Sequence, residues 1–114
     1  APCSGLGVLR RRADARWRIT SADVDDLARL QAELIDAAAM LVRRSGYLIY
    51  SVCTVTRQES IDHPIPEGFR PLIKGEEGFT ELPSYWKEFG HGWRVLPHEA
   101  DTDGMILLRY RRVA

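Results

Sequence analysis

The sequence is poor in cysteine, poor in lysine and without any excess of charge. Cys3 and Cys53 are the only two cysteines. They are too few for a disulfide scaffold. His63, His91 and His98 give them no close ligand pair, so no metal is expected. Lys74 and Lys87 are the only lysines, and 16 basic residues balance 16 acidic ones, so net charge does not announce a nucleic-acid binder. No apolar run approaches the roughly twenty residues of a membrane helix, and no membrane association is expected. The opening Ala1-Pro2-Cys3-Ser4-Gly5 lacks the basic and apolar regions of a signal peptide. A cytoplasmic location is the expectation. Repeats and low-complexity tracts are missing too, which leaves an ordinary globular composition on 114 residues, enough for one core.

What is present is arginine, one strong helical period and a set of short apolar runs. Arg10, Arg11, Arg12, Arg16 and Arg18 crowd one early segment. Guanidinium forks suit phosphate, while a GC-rich coding sequence accounts equally for an arginine- and alanine-rich chain. Thr20 or Ser21 caps a helix with Asp23, Asp25 and Asp26 in its first turn. Val24, Leu27, Leu30, Leu34, Ile35, Ala38, Leu41 and Val42 repeat at helical spacing as its apolar stripe. Arg43 and Arg44 suit the last turn, with Gly46 as terminator. The predicted helix has roughly five to six turns.

Tyr47 to Val52 is aromatic and β-branched with apolar residues on both alternating faces. It reads as a strand buried on both sides in a helix-covered parallel sheet, hence as half of a βαβ unit. The strand that should precede the helix is not in the sequence, so a truncated domain is expected. Residues 64–92 are rich in proline and glycine and read as a long irregular connection. Trp93 to Leu96 and Met105 to Tyr110 read as an antiparallel pair around the Asp101-Thr102-Asp103-Gly104 turn.

Two motifs carry a resemblance. Pro2-Cys3-Ser4-Gly5 with Gly7-Val8-Leu9-Arg10-Arg11, and the strand end Tyr50-Ser51-Val52-Cys53-Thr54, resemble the signature motifs of RNA 5-methylcytosine methyltransferases. Arg11 to Trp17, Leu27 to Gln31 and Leu34 to Ala37 are similar to the bacterial 16S ribosomal RNA subgroup of the RsmB (Sun/Fmu) type, and Asp103-Gly104-Met105 to its last-strand motif. The likeness is dense over residues 1–60 and loose over 93–112. Val52 and Thr54 depart from the family's usual threonine and serine on either side of the second cysteine.

The resemblance implies an α/β fold, with residues 1–114 as the C-terminal portion of a Rossmann-like methyltransferase domain that uses S-adenosylmethionine. It implies that Cys53 adds to C6 of cytosine as nucleophile and that Cys3 assists release of the adduct. Without the family, each cysteine reads as an ordinary buried thiol. Pro2 is a weak candidate cofactor contact, the other contacts lying outside the sequence, so the chain by itself is expected to be inactive. RNA, taken as ribosomal RNA, is the implied partner. Arg10, Arg11, Arg12 and Arg16 either hold its phosphates or are solvated, and Trp17 either stacks on a base or caps the core. The competing class is a non-enzymatic RNA-binding module that keeps the motifs. An exposed strand edge and apolar helix face lead to an expectation of self-association.

Overall fold

The computed structural model describes residues 1–8, 19–97 and 103–114. Helix α1 spans Ser21–Ala39, and five strands follow it: β1 Tyr47–Val52, β2 Phe69–Pro71, β3 Lys87–Phe89, β4 Gly92–Val95 and β5 Met105–Arg112.

Helix α1 starts where its capping chemistry dictates. The Thr20 hydroxyl accepts from Asp23 N at 3.1 Å, and the Asp23 carboxylate accepts from Thr20 N at 2.8 Å. This reciprocal box satisfies two amides that would otherwise be orphaned. The helix ends at Ala39, earlier than the sequence suggests. Leu41 N and Val42 N then bond three residues back to Ala38 O and Ala39 O, which tightens the last turn. The cation at this end is not Arg43 or Arg44. Arg112 reaches across from β5 and donates to Val42 O at 2.5 Å. Ser45, not Gly46, takes the left-handed conformation, with φ 66°. Gly46 is needed for closeness instead, since a methyl group there would lie 2.8 Å from Arg43 O.

The helix is also rotated relative to the expected stripe. Its buried face is Val24, Gln31, Ile35 and Ala39, whereas Leu30 and Leu34 are each 43% exposed. Leu41, past the helix end, is almost wholly exposed. A polar side chain, Gln31, therefore occupies the centre of the buried face, a placement that requires hydrogen-bond partners.

β5 is the hub of the sheet. One edge pairs antiparallel with β1 along its length, from Tyr47↔Arg111 to Val52↔Ile106. The other edge is shared by β4, opposite residues 105–107, and β2, opposite residues 110–112. β3 closes the far side through a two-residue hairpin to β4, with Gly90 at φ 58° in the turn. The expected pairing of the last two strands is therefore found. β2 and β3 fall inside the stretch read as an irregular connection, and each is only three residues long.

Helix α1 packs on one face of this sheet. Leu48, Tyr50 and Val52 of β1 and Ile106, Leu108 and Tyr110 of β5 meet Ile35 and Ala39 of the helix in one cluster. Ile106 and Leu108 are fully buried, each contributing about 1.5–3 kcal/mol. β1 is not buried on both sides as its composition implied. Leu48, Tyr50 and Val52 are buried, but Tyr47, Ile49 and Ser51 alternate with them on an exposed face. Among the described strands β1 has one partner, β5, and no parallel neighbour covers its other edge.

The opposite face of β5 is crossed by residues 72–80. The Tyr47 hydroxyl donates to Glu77 O, and Arg109 donates to Thr80 O at 2.8 Å while lying over the Phe79 ring. A bidentate pair between Arg70 and Glu76 fixes the start of this crossing. Together with the Ile73 amide it holds the Glu76 carboxyl down to about 2.

Candidate active site

Cys53 lies immediately after β1, at the strand end where a chain leaves the sheet. Cys3 lies in the first loop. Both are free thiols and both are half-buried. The structure brings their two segments together through the backbone and through one side chain.

The backbone contact depends on two glycines. Gly7 N donates to the Cys53 carbonyl at 2.9 Å, and Gly104 N donates to the Gly7 carbonyl at 2.5 Å. A methyl group on Gly7 would collide with the Gly104 oxygen and the Cys53 carbonyl carbon. The loop that carries Cys3 therefore threads between the end of β1 and the start of β5, and only a residue without Cβ fits there. This gives the Gly7 and Asp103-Gly104 motifs a structural reason.

The side chain is Glu59, which is fully buried. Its Oε1 accepts from Ser4 N at 2.6 Å and from Gln31 Nε2 at 3.3 Å. Its Oε2 accepts from Ser4 Oγ at 2.7 Å, Thr54 Oγ1 at 2.6 Å and Thr56 Oγ1 at 2.7 Å. Ser4 Oγ and Thr54 Oγ1 are themselves 3.2 Å apart. Burial pushes the Glu59 carboxyl up, but the hydrogen bonds from Thr54, Ser4 and Thr56 outweigh it and leave the group below its ordinary value. Glu59 is thus an ionised carboxylate at neutral pH, held by neutral donors.

Gln31 and His63 complete the cluster. Gln31 Nε2 donates to the Pro2 carbonyl at 2.7 Å, and its Oε1 accepts from His63 Nε2 at 3.0 Å. Burial lowers the His63 pKa against the opposing pull of Glu59, so the ring is neutral near pH 7. The Tyr50 hydroxyl donates to the Glu59 carbonyl at 2.7 Å and is held protonated by burial, then by the Glu59 charge.

Of the residues expected at the site, Cys3, Cys53 and Pro2 fall at one locus. Arg10, Arg11, Arg12, Arg16, Trp17 and Asp101 lie outside the described residues. Glu59, Ser4, Thr54, Thr56 and His63 were not anticipated. Gln31 carried a usable signal, because it stands seven residues after Val24 and four before Ile35, on the buried side of a helix. No group of three or more His, Cys, Asp or Glu residues that could hold a metal occurs among the described residues. No described helix is long and apolar enough to cross a membrane.

The described residues thus form an antiparallel sheet with one helix layer, with two cysteine segments converging at a strand end. The chain belongs to the 16S rRNA methyltransferase RsmB/F family, whose model matches residues 1–111. It is 49% identical over 119 residues to the "Probable ribosomal RNA small subunit methyltransferase B" of Synechocystis, with 97% of this chain and 26% of that protein covered. It is 32% identical over 119 residues to ribosomal RNA small subunit methyltransferase F of Vibrio atlanticus, covering 100% of this chain and 25% of that one. NSun6 from Pyrococcus horikoshii, solved with SFG, superposes with a TM-score of 0.75 at 30% identity over 100% of this chain and 29% of that chain. The chain thus spans about a quarter of the length of the relatives it matches.

Proposed function

We propose that the whole protein methylates C5 of a cytidine in 16S ribosomal RNA, with Cys53 as nucleophile and Cys3 as the thiol that assists release. The observation that carries this reading is the convergence of the Cys3-Ser4 and Cys53-Thr54 segments on the Glu59 carboxylate. Two cysteines fifty positions apart in sequence are brought to one locus, as a two-thiol reaction requires.

C5 of cytosine is a weak nucleophile. Addition of the Cys53 thiolate to C6 makes the ring an enamine and C5 electron-rich. After C5 gains a methyl group it loses its proton to a base, and the C6–S bond breaks to restore the ring and the thiolate. Cys3, on the neighbouring loop, assists that elimination. Half-burial at a strand end gives Cys53 both access and a fixed direction.

S-adenosylmethionine supplies the methyl group when bound; SFG, held by the NSun6 structure, is an analogue of it. One cavity that combines apolar walls with carboxylates has Asp36, Met40, Glu67, Phe69 and Arg112 among its lining residues. It lies beside the Arg112 end of β5, whereas Cys53 follows the end of β1 that pairs with Ile106. Pro2 is exposed, and its carbonyl is already taken by Gln31. The cofactor contacts are therefore assigned to the rest of the protein, and this chain alone is inactive in the proposed scheme. RNA phosphates are assigned to Arg10, Arg11, Arg12 and Arg16, and the setting to the cytoplasm.

In the full-length protein Cys53→Ala should abolish methyl transfer. Cys3→Ala should leave attack intact and accumulate a protein–RNA adduct on a denaturing gel. Near-normal turnover of Cys53→Ala would overturn the assignment.

A further inference from the structure

Neither cysteine role explains why a carboxylate sits fully buried beside them. Every described partner of Glu59 is neutral. A buried anion without a counter-charge is an expensive way to fill a core, since an apolar side chain of similar volume is usually as stable or more so. Its five donors are also unevenly placed in sequence. Ser4 follows Cys3 directly, Thr54 follows Cys53 directly, and Gln31 also holds the carbonyl of Pro2, the residue before Cys3.

We propose that Glu59 is a positioning residue for the two-thiol reaction, its carboxylate setting the spacing of the Cys3 and Cys53 segments, with Gln31 as a brace. This rests on the roles given to the two cysteines above. One planar group touches the residue after each thiol through bonds of 2.6–2.7 Å, so neither segment shifts without breaking a charge-assisted hydrogen bond. Thiol addition and assisted elimination tolerate little slack: a misplacement of about 1 Å costs on the order of a hundredfold in rate.

The glutamine variant separates positioning from folding. Its carbonyl oxygen still accepts from Ser4 N–H, and its amide, with two N–H groups, donates to two of the three hydroxyls of Ser4, Thr54 and Thr56, which can rotate to accept and to pair with one another. The fold should survive while the short, charge-assisted spacing is lost. In the full-length protein, Glu59→Gln should lower kcat per folded molecule by about ten- to a hundredfold, with KM for RNA within about twofold. Covalent trapping on RNA carrying 5-fluorocytidine, whose C5 has no proton to lose, should slow in parallel. Thr54→Val removes the bond from the residue after Cys53 to Glu59, together with the Thr54 contacts to Ser4 and Thr56, and should show the same split, which keeps the test decisive if Glu59→Gln fails to fold. Unchanged kcat per folded molecule, or a rise in KM alone, would overturn the proposal. Full activity of Glu59→Gln beside a dead Cys53→Ala sinks the positioning role only, whereas an active Cys53→Ala sinks the reading beneath it.

Discussion

Gly7 and Gly104 meet backbone to backbone, joined by a 2.5 Å hydrogen bond from Gly104 N to Gly7 O. A methyl group at Gly7 meets main-chain atoms of both Gly104 and Cys53, none of which can rotate away. Gly7→Ala is therefore expected to cost about 1–3 kcal/mol, as other overpacked sites do. Urea unfolding reads this directly. An unchanged midpoint would mean that the first loop is not clamped between β1 and β5.

The helix phase gives a second test. Ile35→Ala should cost about 2–5 kcal/mol, because Ile35 is 4% exposed in the central cluster. Leu30→Ala, at a position 43% exposed, should cost clearly less. Equal losses at the two positions would place the buried face where the leucines alone suggest.

Acid should weaken the fold in two stages. His63 and His91 are both shifted down by burial, so the fold favours their neutral rings. Their contribution is complete above the ordinary histidine value of about 6.5 and is lost as pH falls through the lower folded values. Glu59 is also shifted down, which favours its ionised form. Its contribution is complete above about 4.5 and is lost below that as the carboxyl protonates. Unfolding free energies at neutral pH, near pH 5.5 and near pH 4 should fall in that order, and His63→Gln should flatten the first drop. Equal stability at neutral pH and pH 5.5 would refute the histidine part.

The chain alone is expected to self-associate. The edge of β1 that no described strand pairs and the half-exposed Leu34 and Ile49 border an apolar cavity shared with Ala38 and Leu48. Unpaired strand edges and apolar patches recruit other chains. Light scattering should show mass rising with concentration. A cooperatively folded monomer at high micromolar concentration would contradict this.

How much of this was legible in the sequence depended on how local its cause is. The Thr20–Asp23 cap, α1 and β1 follow from neighbours in sequence and lie where periodicity puts them. Helix phase did not follow, because Leu30 and Leu34 were counted as apolar, while Gln31 is buried for its hydrogen bonds to Pro2 and His63. β2 and β3 are three-residue strands that each adjoin a glycine, Gly68 and Gly90. They exist because β5 and β4 offer edges, and no local period records that. The cysteines were legible through their motifs. Glu59 was not, since a carboxylate among Thr54, Thr56 and Ser60 reads as a solvated loop until the distant donors on Ser4 and Gln31 are known.

The central place of β5 also bears on how the molecule is made. Among the described strands it is the last in sequence and the one against which β1, β2 and β4 all pair. As the chain leaves the ribosome, the α1 region and the β3–β4 hairpin can form from neighbours alone, but the pairings of β1 and β2 with β5 must wait until residues 105–112 arrive. Sheet formation then happens in one late, long-range closure, which is slow compared with local folding. During that wait the edge of β1 that will pair with β5 is open to other nascent chains, so crowding at the exit tunnel bears most heavily on the interval between synthesis of Val52 and Met105.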